Sequence, residues 1–336
     1  VLLIEKRGSL IESLNSNIKV KYLTKSSEYC DNKLSAYLNM IKLSLIYRFL
    51  SKKKWYVNRI YKKVLKDTYD TEIAFLAGVP SDIISRSPNK KSKKISWIHS
   101  CVDKYSYQKY LTLAKKFDVI VGVSKKSLDI FEQTYQDIKC KTILLNNYVD
   151  VTKIINKSNM NFDNIFSKNK INFLSLGRLS SEKGFDRIIN VAKKYHKTIN
   201  FYIGGIGNLE TELKEQINKN NIKNVYLTGL LKNPYPYIKN ADVFLLSSRS
   251  EAYPTVVIEA MILKKFIIST NCAGVEEILE KYENKIIINN SDDSLENGID
   301  KYLEFKKYNN NNDDNSFIKQ NEKNLELLKK VIGGDV

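Results

Sequence analysis

Two glutamates with seven residues between them stand in the stretch SSRSEAYPTVVIEAM (247–261). A carboxylate surrounded by apolar residues, as Glu259 is here, is costly to bury unless a polar group meets it. Pro254 suits the first position of a helix, which places Glu251 on the preceding loop and Glu259 more than one turn inside. The N–H groups near Thr255 at such a helix start can receive phosphate or sugar oxygens. The carboxylates are therefore not an i, i+4 surface pair, and a simple solvated face fits poorly. Glu259 is predicted either to turn outward or to meet a polar group inside.

Two cations, Arg178 and Lys183, follow a short apolar run in LGRLSSEKGFD (176–186). Gly177 permits a tight turn there, an arginine can fork onto two phosphate oxygens, and a lysine adds a compact charge. This pair suits a diphosphate. Surface loops of a lysine-rich protein also carry cations that bind nothing, and the spacing leaves both interpretations open.

A third candidate is the glycine cluster of YIGGIGNLE (202–210), with Gly204, Gly205 and Gly207. Glycines let a backbone approach a ligand closely, but the full GxGxxG pattern is missing. A plain turn is an equally good explanation.

These candidates lie where predicted strands end in an alternating strand–helix pattern. Strands are predicted at 171–177, 199–205, 224–229, 243–248, 265–270 and 284–289. Helices are predicted at 184–195, 209–220, 235–240, 255–263 and 275–281. Such alternation indicates a doubly wound parallel sheet with a ligand crevice at the carboxyl ends of its strands.

The first half of the chain shows a less regular form of the same pattern. Strands are predicted at 2–5, 19–23, 72–78, 93–100, 119–124 and 141–147, and helices at 34–50 and 105–116. With 336 residues the chain can bury two cores. We expect an α/β protein of two Rossmann-like, doubly wound domains that face a cleft. The predicted bounds are 1–150 for the first domain, 151–169 for a polar, aperiodic linker, 170–308 for the second domain, and 316–336 for a terminal helix that could return to the first domain.

Four ordered motifs resemble the C-terminal domain of glycosyltransferase family 4, of the group 1 type found in bacterial capsule and lipopolysaccharide biosynthesis. They are GRLSSEKGFD (177–186), GGIG (204–207), NPYPYIKNADVFLLSS (233–248) and SEAYPTVVIEAM (250–261). The resemblance is strong over 170–280 and continues more weakly over 70–150. It implies the GT-B fold, a nucleotide-sugar donor, retention of the anomeric configuration, and neither a metal nor a cofactor.

The same resemblance implies a role for each matched residue. Arg178 and Lys183 would hold the donor diphosphate and stabilise charge on the leaving group. Glu251 would contact the donor sugar, and Glu259 would bind the ribose hydroxyls. Other donor-binding positions would be Gly177, Gly204, Gly205, Gly207, Ala252, Tyr253, Pro254 and Thr255. The catalytic group would be Glu251, Arg178, Lys183 and His99.

His99 ends the predicted strand in KISWIHS (94–100) and matches a family histidine that touches the sugar or acceptor. A lone histidine is more often a core residue. The chain has Glu251-Ala252-Tyr253 where the family has Glu-Gly-Phe, which requires a negative φ at Ala252. The family's opening strand and glycine-rich loop would precede Val1, so we expect the chain to be N-terminally incomplete.

The net charge of +18 is concentrated in residues 1–150, which carry 28 Lys and Arg against 14 Asp and Glu. The segment Lys42–Lys66 alone has nine cations and no acid, interleaved with five aromatic residues. This pattern is typical of a basic amphipathic surface that binds anionic lipid. A solvated helix with buried aromatics is the alternative. Nucleic acid is not expected as a partner, because no binding motif for it is present.

We therefore expect a retaining hexosyltransferase that uses a nucleotide sugar, with UDP favoured, and a lipid-linked or polysaccharide acceptor. No run of about 18 apolar residues occurs, so no transmembrane helix is predicted. Four cysteines without a CxxC pair fit a reducing compartment. The expected location is the cytoplasm, peripheral to the inner face of the plasma membrane. The alternatives are a non-catalytic lipid- or polyanion-binding protein on a GT-B scaffold and another GT-B enzyme, an epimerase or a phosphorylase.

Overall fold

The computed structural model describes residues 2–6, 16–25, 44–45, 54–76, 78–99, 114–136, 140–306 and 316–333. The predicted helices over 34–50 and 105–116 lie almost entirely outside these residues. Two compact units divide the chain, one of residues 1–98, 102–121 and 134–143, the other of residues 99–101, 122–133 and 144–336. The predicted domain bounds stay predictions.

The first half of the chain forms two sheets. Its strands are β1 (Leu2–Lys6), β2 (Lys21–Lys25), β3 (Thr71–Ala74), β4 (Lys93–Ile98), β5 (Val119–Gly122) and β6 (Lys141–Leu144). Its helices are α1 (Lys54–Ile60), which continues as the π-helical turn Tyr61–Leu65, α2 (Val79–Ser85) and α3 (Lys125–Thr134). Strand β1 pairs with β2 in parallel, and the other four lie in the order β3-β4-β5-β6.

Helix α1 packs one face into a small core of the first unit. Val57, Ile60 and Tyr61 are buried there together with Ile83 of α2. The spacing of three and four residues puts the apolar side chains on one side of the helix. Trp55, on the same helix, stays 55% exposed.

The second half of the chain alternates strands and helices throughout. Its strands are β7 (Ile171–Leu176), β8 (Ile199–Gly204), β9 (Val225–Gly229), β10 (Val243–Leu246), β11 (Phe266–Thr270) and β12 (Lys285–Ile288). Its helices are α4 (Val151–Ser158), α5 (Phe185–Ala192), α6 (Glu210–Lys219), α7 (Tyr235–Asn240), α8 (Thr255–Ile262), α9 (Val275–Leu279), α10 (Ser294–Lys306) and α11 (Ser316–Gly333).

The six strands form one parallel sheet in the order β12-β11-β10-β7-β8-β9. Strands β8 and β9 lie on one side of β7, and β10, β11 and β12 lie on the other, so the strand order reverses between β7 and β10. These two strands pair through Phe173–Val243 and Leu174–Phe244. Every residue of β8 and β10 is buried, because helices cover both faces of such a sheet. The crevice at the carboxyl ends of β7 and β10 is therefore the expected ligand position of this topology.

One hydrophobic core of the second unit lies on the face of this sheet covered by α5 and α10. Phe173 and Phe201 contact each other edge to face, with ring centroids 5.4 Å apart. Ile188 and Ile189 of α5 and Ile299 of α10 are fully buried beside them. This core anchors the strand ends that carry the site.

In the second half of the chain, two helices were not predicted. Residues 151–169 were expected to be aperiodic, but they begin with α4, whose N-cap Asp150 accepts a hydrogen bond from the Lys153 N–H at 2.9 Å. Such a cap satisfies one orphan donor of the first turn. Helix α10 was not predicted, although Leu295, Ile299 and Tyr302 recur at helical spacing on its buried face. Among the described residues no helix is both long and apolar enough to cross a membrane.

Candidate functional site

Lys183 and Glu251 meet at the carboxyl ends of β7 and β10. The Lys183 Nζ donates to the Glu251 Oε1 at 2.6 Å, and the Ser248 Oγ donates to the same oxygen at 2.7 Å. The side chains are only 21% and 11% exposed, so this ion pair is less screened by water than an ordinary surface pair. The two residues lie on separate loops and meet because β7 and β10 are adjacent where the strand order reverses.

The loop after β7 runs from Gly177 to Gly184 and contains a single 3₁₀ turn, Ser181–Lys183. Arg178 is exposed on this loop, and Lys183 is half-buried. A Ser180 hydroxyl lies 2.7 Å from the Glu182 carboxylate and donates to it. This hydrogen bond lowers the pKa of Glu182, and the charges of Arg178 and Lys183 lower it further. The predicted cations are thus on one loop with a nearby anion.

The glycine cluster packs against this loop through its backbone. The Gly177 N–H donates to the Gly204 carbonyl at 3.0 Å. Gly205 has φ +149, and a Cβ there would lie 1.8 Å from the Gly177 oxygen. Both this φ angle and the contact with the Gly177 oxygen exclude any residue other than glycine at position 205. Close packing of two loops explains this glycine, and its approach to a nucleotide stays a prediction.

The stretch Ala252–Thr255 passes from a buried turn into α8. Ala252 and Tyr253 are each 7% exposed. Ala252 is not among the non-glycine residues of positive φ in the described chain, which are Lys66, Asn221 and Lys264, so the alanine fits without backbone strain. Pro254 was predicted as the first helical residue but is the N-cap, with ψ 105°, and the helix begins at Thr255. The one-residue shift leaves Glu251 on the loop and Glu259 inside the helix, as predicted.

Glu259 is half-buried in α8 and faces Tyr235, the first residue of α7. Burial raises the pKa of Glu259 to about 7, and the hydrogen bond from the Tyr235 hydroxyl opposes this shift. Burial and the nearby carboxylate raise the pKa of Tyr235 to about 12, which keeps the phenol a donor. Glu259 is therefore neither solvated nor in a dry core, and it has a polar neighbour that orients it.

His99 directly follows β4 and is half-buried. It belongs to the second unit, although the strand before it belongs to the first. Its role toward a sugar or an acceptor stays a prediction.

Sequence reasoning missed Glu277 in α9. Its carboxylate accepts hydrogen bonds from the Asn146 side chain at 2.7 Å and from the Lys125 backbone N–H at 2.9 Å. The Asn147 amide reaches the Tyr253 carbonyl at 3.4 Å. These contacts join Lys125 and Asn146 to α9, and Asn147 to the loop that precedes α8. Asn146 and Glu277 are 131 residues apart, and no local pattern could have paired them.

Two arginines were also missed, Arg187 in α5 and Arg249 on the loop after β10. Arg187 is 5% exposed and Arg249 forms a bidentate pair with Asp186. For Arg187 the sequence did contain a signal, because this cation stands among the apolar residues Phe185, Ile188 and Ile189 of a predicted helix. In the portion of the chain that the structure describes, no group of three or more His, Cys, Asp or Glu side chains is placed to hold a metal ion.

Residues 156–324, half of the chain, match the family model described as glycosyl transferases group 1. The chain belongs to this family. All of the loops that position Lys183, Glu251 and Glu259 lie within the matched residues.

Curated glycosyltransferases are similar to parts of this chain. An uncharacterised glycosyltransferase of Methanocaldococcus jannaschii is 34% identical over 210 residues, which are 57% of this chain and 51% of the relative. The capsular polysaccharide biosynthesis glycosyltransferase CapH of Staphylococcus aureus is 24% identical over 257 residues, 74% of this chain and 69% of the relative. The match to the M. jannaschii protein thus spans about half of that relative.

Solved structures share the fold of this group 1 family member. HepE of Anabaena, in complex with UDP and glucose, superposes with a TM-score of 0.65 over 91% of this chain and 82% of HepE, at 16% identity. At this identity the likeness shows the fold alone. The predicted GT-B class of α/β fold is confirmed.

Proposed function

We propose that the protein is a retaining glycosyltransferase that moves a hexose or N-acetylhexosamine from a UDP-sugar to a lipid-linked or polysaccharide acceptor. The observation that carries the proposal is the Lys183–Glu251 ion pair at the point where the strand order reverses. Its support from relatives is the UDP and glucose bound by HepE and the capsular polysaccharide biosynthesis assigned to CapH.

In this proposal the ion pair opens when the donor binds. The Lys183 ammonium moves from the Glu251 carboxylate to the donor diphosphate, and exposed Arg178 adds a second cation on the same loop. The bond between the sugar anomeric carbon and the diphosphate oxygen then breaks, an acceptor hydroxyl oxygen bonds to the same face of that carbon, and the hydroxyl proton passes to the departing diphosphate. Both cations stabilise the charge that develops on the departing UDP, which is the kind of electrostatic effect that dominates such transfers. Neither a cofactor nor a metal ion is part of this proposal.

Glu251 and Glu259 have separate roles. Once released by Lys183, the Glu251 carboxylate accepts hydrogen bonds from sugar hydroxyls, while Ser248 continues to orient it from the same loop. Glu259 accepts hydrogen bonds from the two ribose hydroxyls, and the Tyr235 hydroxyl holds it in place. The N–H groups at the start of α8 and the backbone of Gly177, Gly204, Gly205 and Gly207 line the remaining donor surface. His99 approaches the sugar or the acceptor.

The acceptor side includes an anionic membrane surface contacted by Lys42–Lys66, which agrees with a lipid-linked acceptor at the inner face of the plasma membrane. Over the described residues 54–66 of this segment, Trp55, Lys62 and Lys63 are exposed, whereas Val57 and Tyr61 are buried. An exposed tryptophan beside exposed lysines supports lipid contact over the alternative in which all the aromatics are buried. Tyr47 and Phe49 lie outside the described residues.

The proposal is tested with the full-length protein and a panel of nucleotide sugars, with released nucleotide as the readout. Lys183→Ala and Glu251→Ala are each expected to lower kcat/KM by about 100-fold or more, because each removes a charge used in the transition state. Lys194→Ala removes an exposed lysine that bonds to Glu296 and Asp300, and it is the matched control.

The other outcomes select the alternatives. Unchanged transfer in both site variants would overturn the assigned roles. An epimerised nucleotide or a sugar phosphate as the product would indicate a different GT-B enzyme. Vesicle binding without any nucleotide binding would indicate a non-catalytic descendant.

A further inference from the structure

The loops that carry Lys183 and Glu251 are joined by a buried cation that lies behind them. Arg187, in the first turn of α5, is 5% exposed. Its Nε donates to the Asp292 carboxylate at 2.6 Å, and one terminal nitrogen donates to the Asn290 side-chain oxygen at 2.8 Å and to the Ser247 carbonyl at 3.2 Å. One guanidinium thus contacts the loop after β12 and the first residue of the loop after β10.

The Ser247 carbonyl lies against the backbone of the loop after β7. A Cβ on Gly184, whose φ is +62, would lie 2.3 Å from this oxygen. The Ser247 hydroxyl donates to the Lys183 carbonyl at 2.9 Å. Gly184 adjoins Lys183 in sequence, so the position of Ser247 is coupled directly to the backbone that carries the lysine.

A second arginine ties the next residues of the same loop. Arg249 forks onto the Asp186 carboxylate at 2.7 and 2.6 Å, and its backbone N–H donates to the Glu182 carbonyl at 2.7 Å. The hydrogen bonds from Arg249 lower the pKa of Asp186 and keep it an anion. The Asn290 side chain donates to the Arg249 carbonyl at 2.8 Å and accepts from Arg187, which links the two arginines.

General stability does not explain why a guanidinium occupies this position. Burying a cation carries a desolvation cost that a well-packed apolar side chain would avoid. A lysine could supply the charge but not the fixed fork that reaches separate acceptors. What the arginine adds at this position is a charged donor that restrains the Ser247 carbonyl, four residues before Glu251.

We propose that Arg187 is a positioning residue of the donor site, which restrains the Ser247 carbonyl and so holds the Glu251 carboxylate against the Lys183 ammonium. It touches neither donor nor acceptor and acts through the loop. The effect of Arg187 on nucleotide binding rests on the proposed function, whereas its restraint of the Ser247 carbonyl does not.

The test compares Arg187→Gln and Arg187→Lys with the matched control Lys194→Gln. Lys194 also joins the α5 region to the segment after β12, through Glu296 at 2.6 Å and Asp300 at 2.8 Å, but at the opposite end of the helix. Two readouts are used on the full-length protein. They are hydrogen–deuterium exchange of the Arg249 amide, and calorimetric binding of UDP.

Arg187→Gln is expected to speed exchange at the Arg249 amide and to weaken UDP binding, each by about tenfold, since loss of a positioning contact moves the binding groups. Arg187→Lys should restore part of both values, and Lys194→Gln should change neither. The proposal is overturned if Arg187→Gln leaves both readouts unchanged, or if Lys194→Gln alters them equally. If the Gln variant does not fold, the Lys variant decides by the same criteria. If the unaltered protein does not bind UDP, the donor assignment fails, and amide exchange still decides the role of Arg187.

Discussion

At the scale of single residues, Glu259 occupies an environment that opposes its ionisation. Burial raises the pKa of its carboxyl group from the ordinary 4.5 to about 7, and Tyr235 offsets part of this cost. In its ionised form Glu259 can accept hydrogen bonds from two ribose hydroxyls. These hydrogen bonds would then compensate for the desolvation of the carboxylate. The unliganded protein, in contrast, bears the cost of the buried charge whenever the pH exceeds the pKa.

The raised pKa predicts how stability depends on pH. The native state binds its proton more tightly than the unfolded state, so the contribution of Glu259 is fully present below about pH 4.5 and is lost as the pH rises through about 7. Relative to Glu259→Gln, the free energy of unfolding of the unaltered protein should fall by about 3 kcal/mol between pH 4 and pH 8. Urea unfolding across this range measures it, with exposed Glu215→Gln on α6 as the control. A pH-independent difference between the protein and Glu259→Gln would contradict the assignment.

At the scale of elements, the loop after β7 is held between the loops of its two neighbouring strands. The loop after β10 contributes Ser247 and Arg249, and the loop after β8 contributes Gly205. Backbone approaches of this closeness depend on glycine, because any Cβ would fill the space through which the loops contact each other. The geometry of Lys183 therefore depends on residues of the two neighbouring loops as well as on its own loop.

Gly205→Ala tests this loop contact. The added Cβ would lie 1.8 Å from the Gly177 oxygen at φ +149, so the expected loss is about 3 kcal/mol or more in the free energy of unfolding. Gly229→Ala is the control, since Gly229 has φ +69 but nothing within 4 Å of its Cβ position. Its cost should be about 1 kcal/mol from the left-handed conformation alone. Chemical denaturation compares the two, and equal losses would show that the steric contact is unimportant.

At the scale of the whole molecule, the uneven charge is the main feature outside the donor site. Residues 1–150 hold most of the net +18, and their described helix α1 presents Trp55 to solvent. A field of this sign favours anionic lipid as a partner, in keeping with the lipid-linked acceptor proposed above.

Neutralising part of this charge should weaken membrane binding. Lys62→Gln with Lys63→Gln is expected to lower affinity for vesicles containing anionic lipid by about 30-fold, at about 1 kcal/mol for each lysine. Lys219→Gln with Lys223→Gln removes the same charge from exposed positions in the second half and is the control. Vesicle sedimentation at low and high salt measures both. Equal loss in the two double variants would mean that net charge alone, and not this surface, drives binding.

The sequence by itself determined the elements whose patterns are local. Strand β8 was predictable because INFYIG is a nearly continuous apolar run, as a strand buried on both faces must be, and α7 was predicted with its observed bounds, Tyr235–Asn240. Helices α4 and α10 were not predicted, although the apolar residues of each recur at helical spacing, Val151, Ile154 and Ile155 in α4 and Leu295, Ile299 and Tyr302 in α10. The family motifs named Lys183, Glu251 and Glu259 one residue at a time.

Only the tertiary structure decided which of these residues meet. Lys183 and Glu251 are 68 residues apart, and their contact depends on β7 and β10 being neighbours in the sheet. The burial of Arg187 depends on the loop after β12 reaching its guanidinium, and Glu277 reaches Asn146 across 131 residues. The spacing of apolar side chains indicates which face of one helix or strand is buried. Which loops contact each other depends instead on the order of the strands in the sheet. Strand order is a property of the folded sheet and not of any single segment.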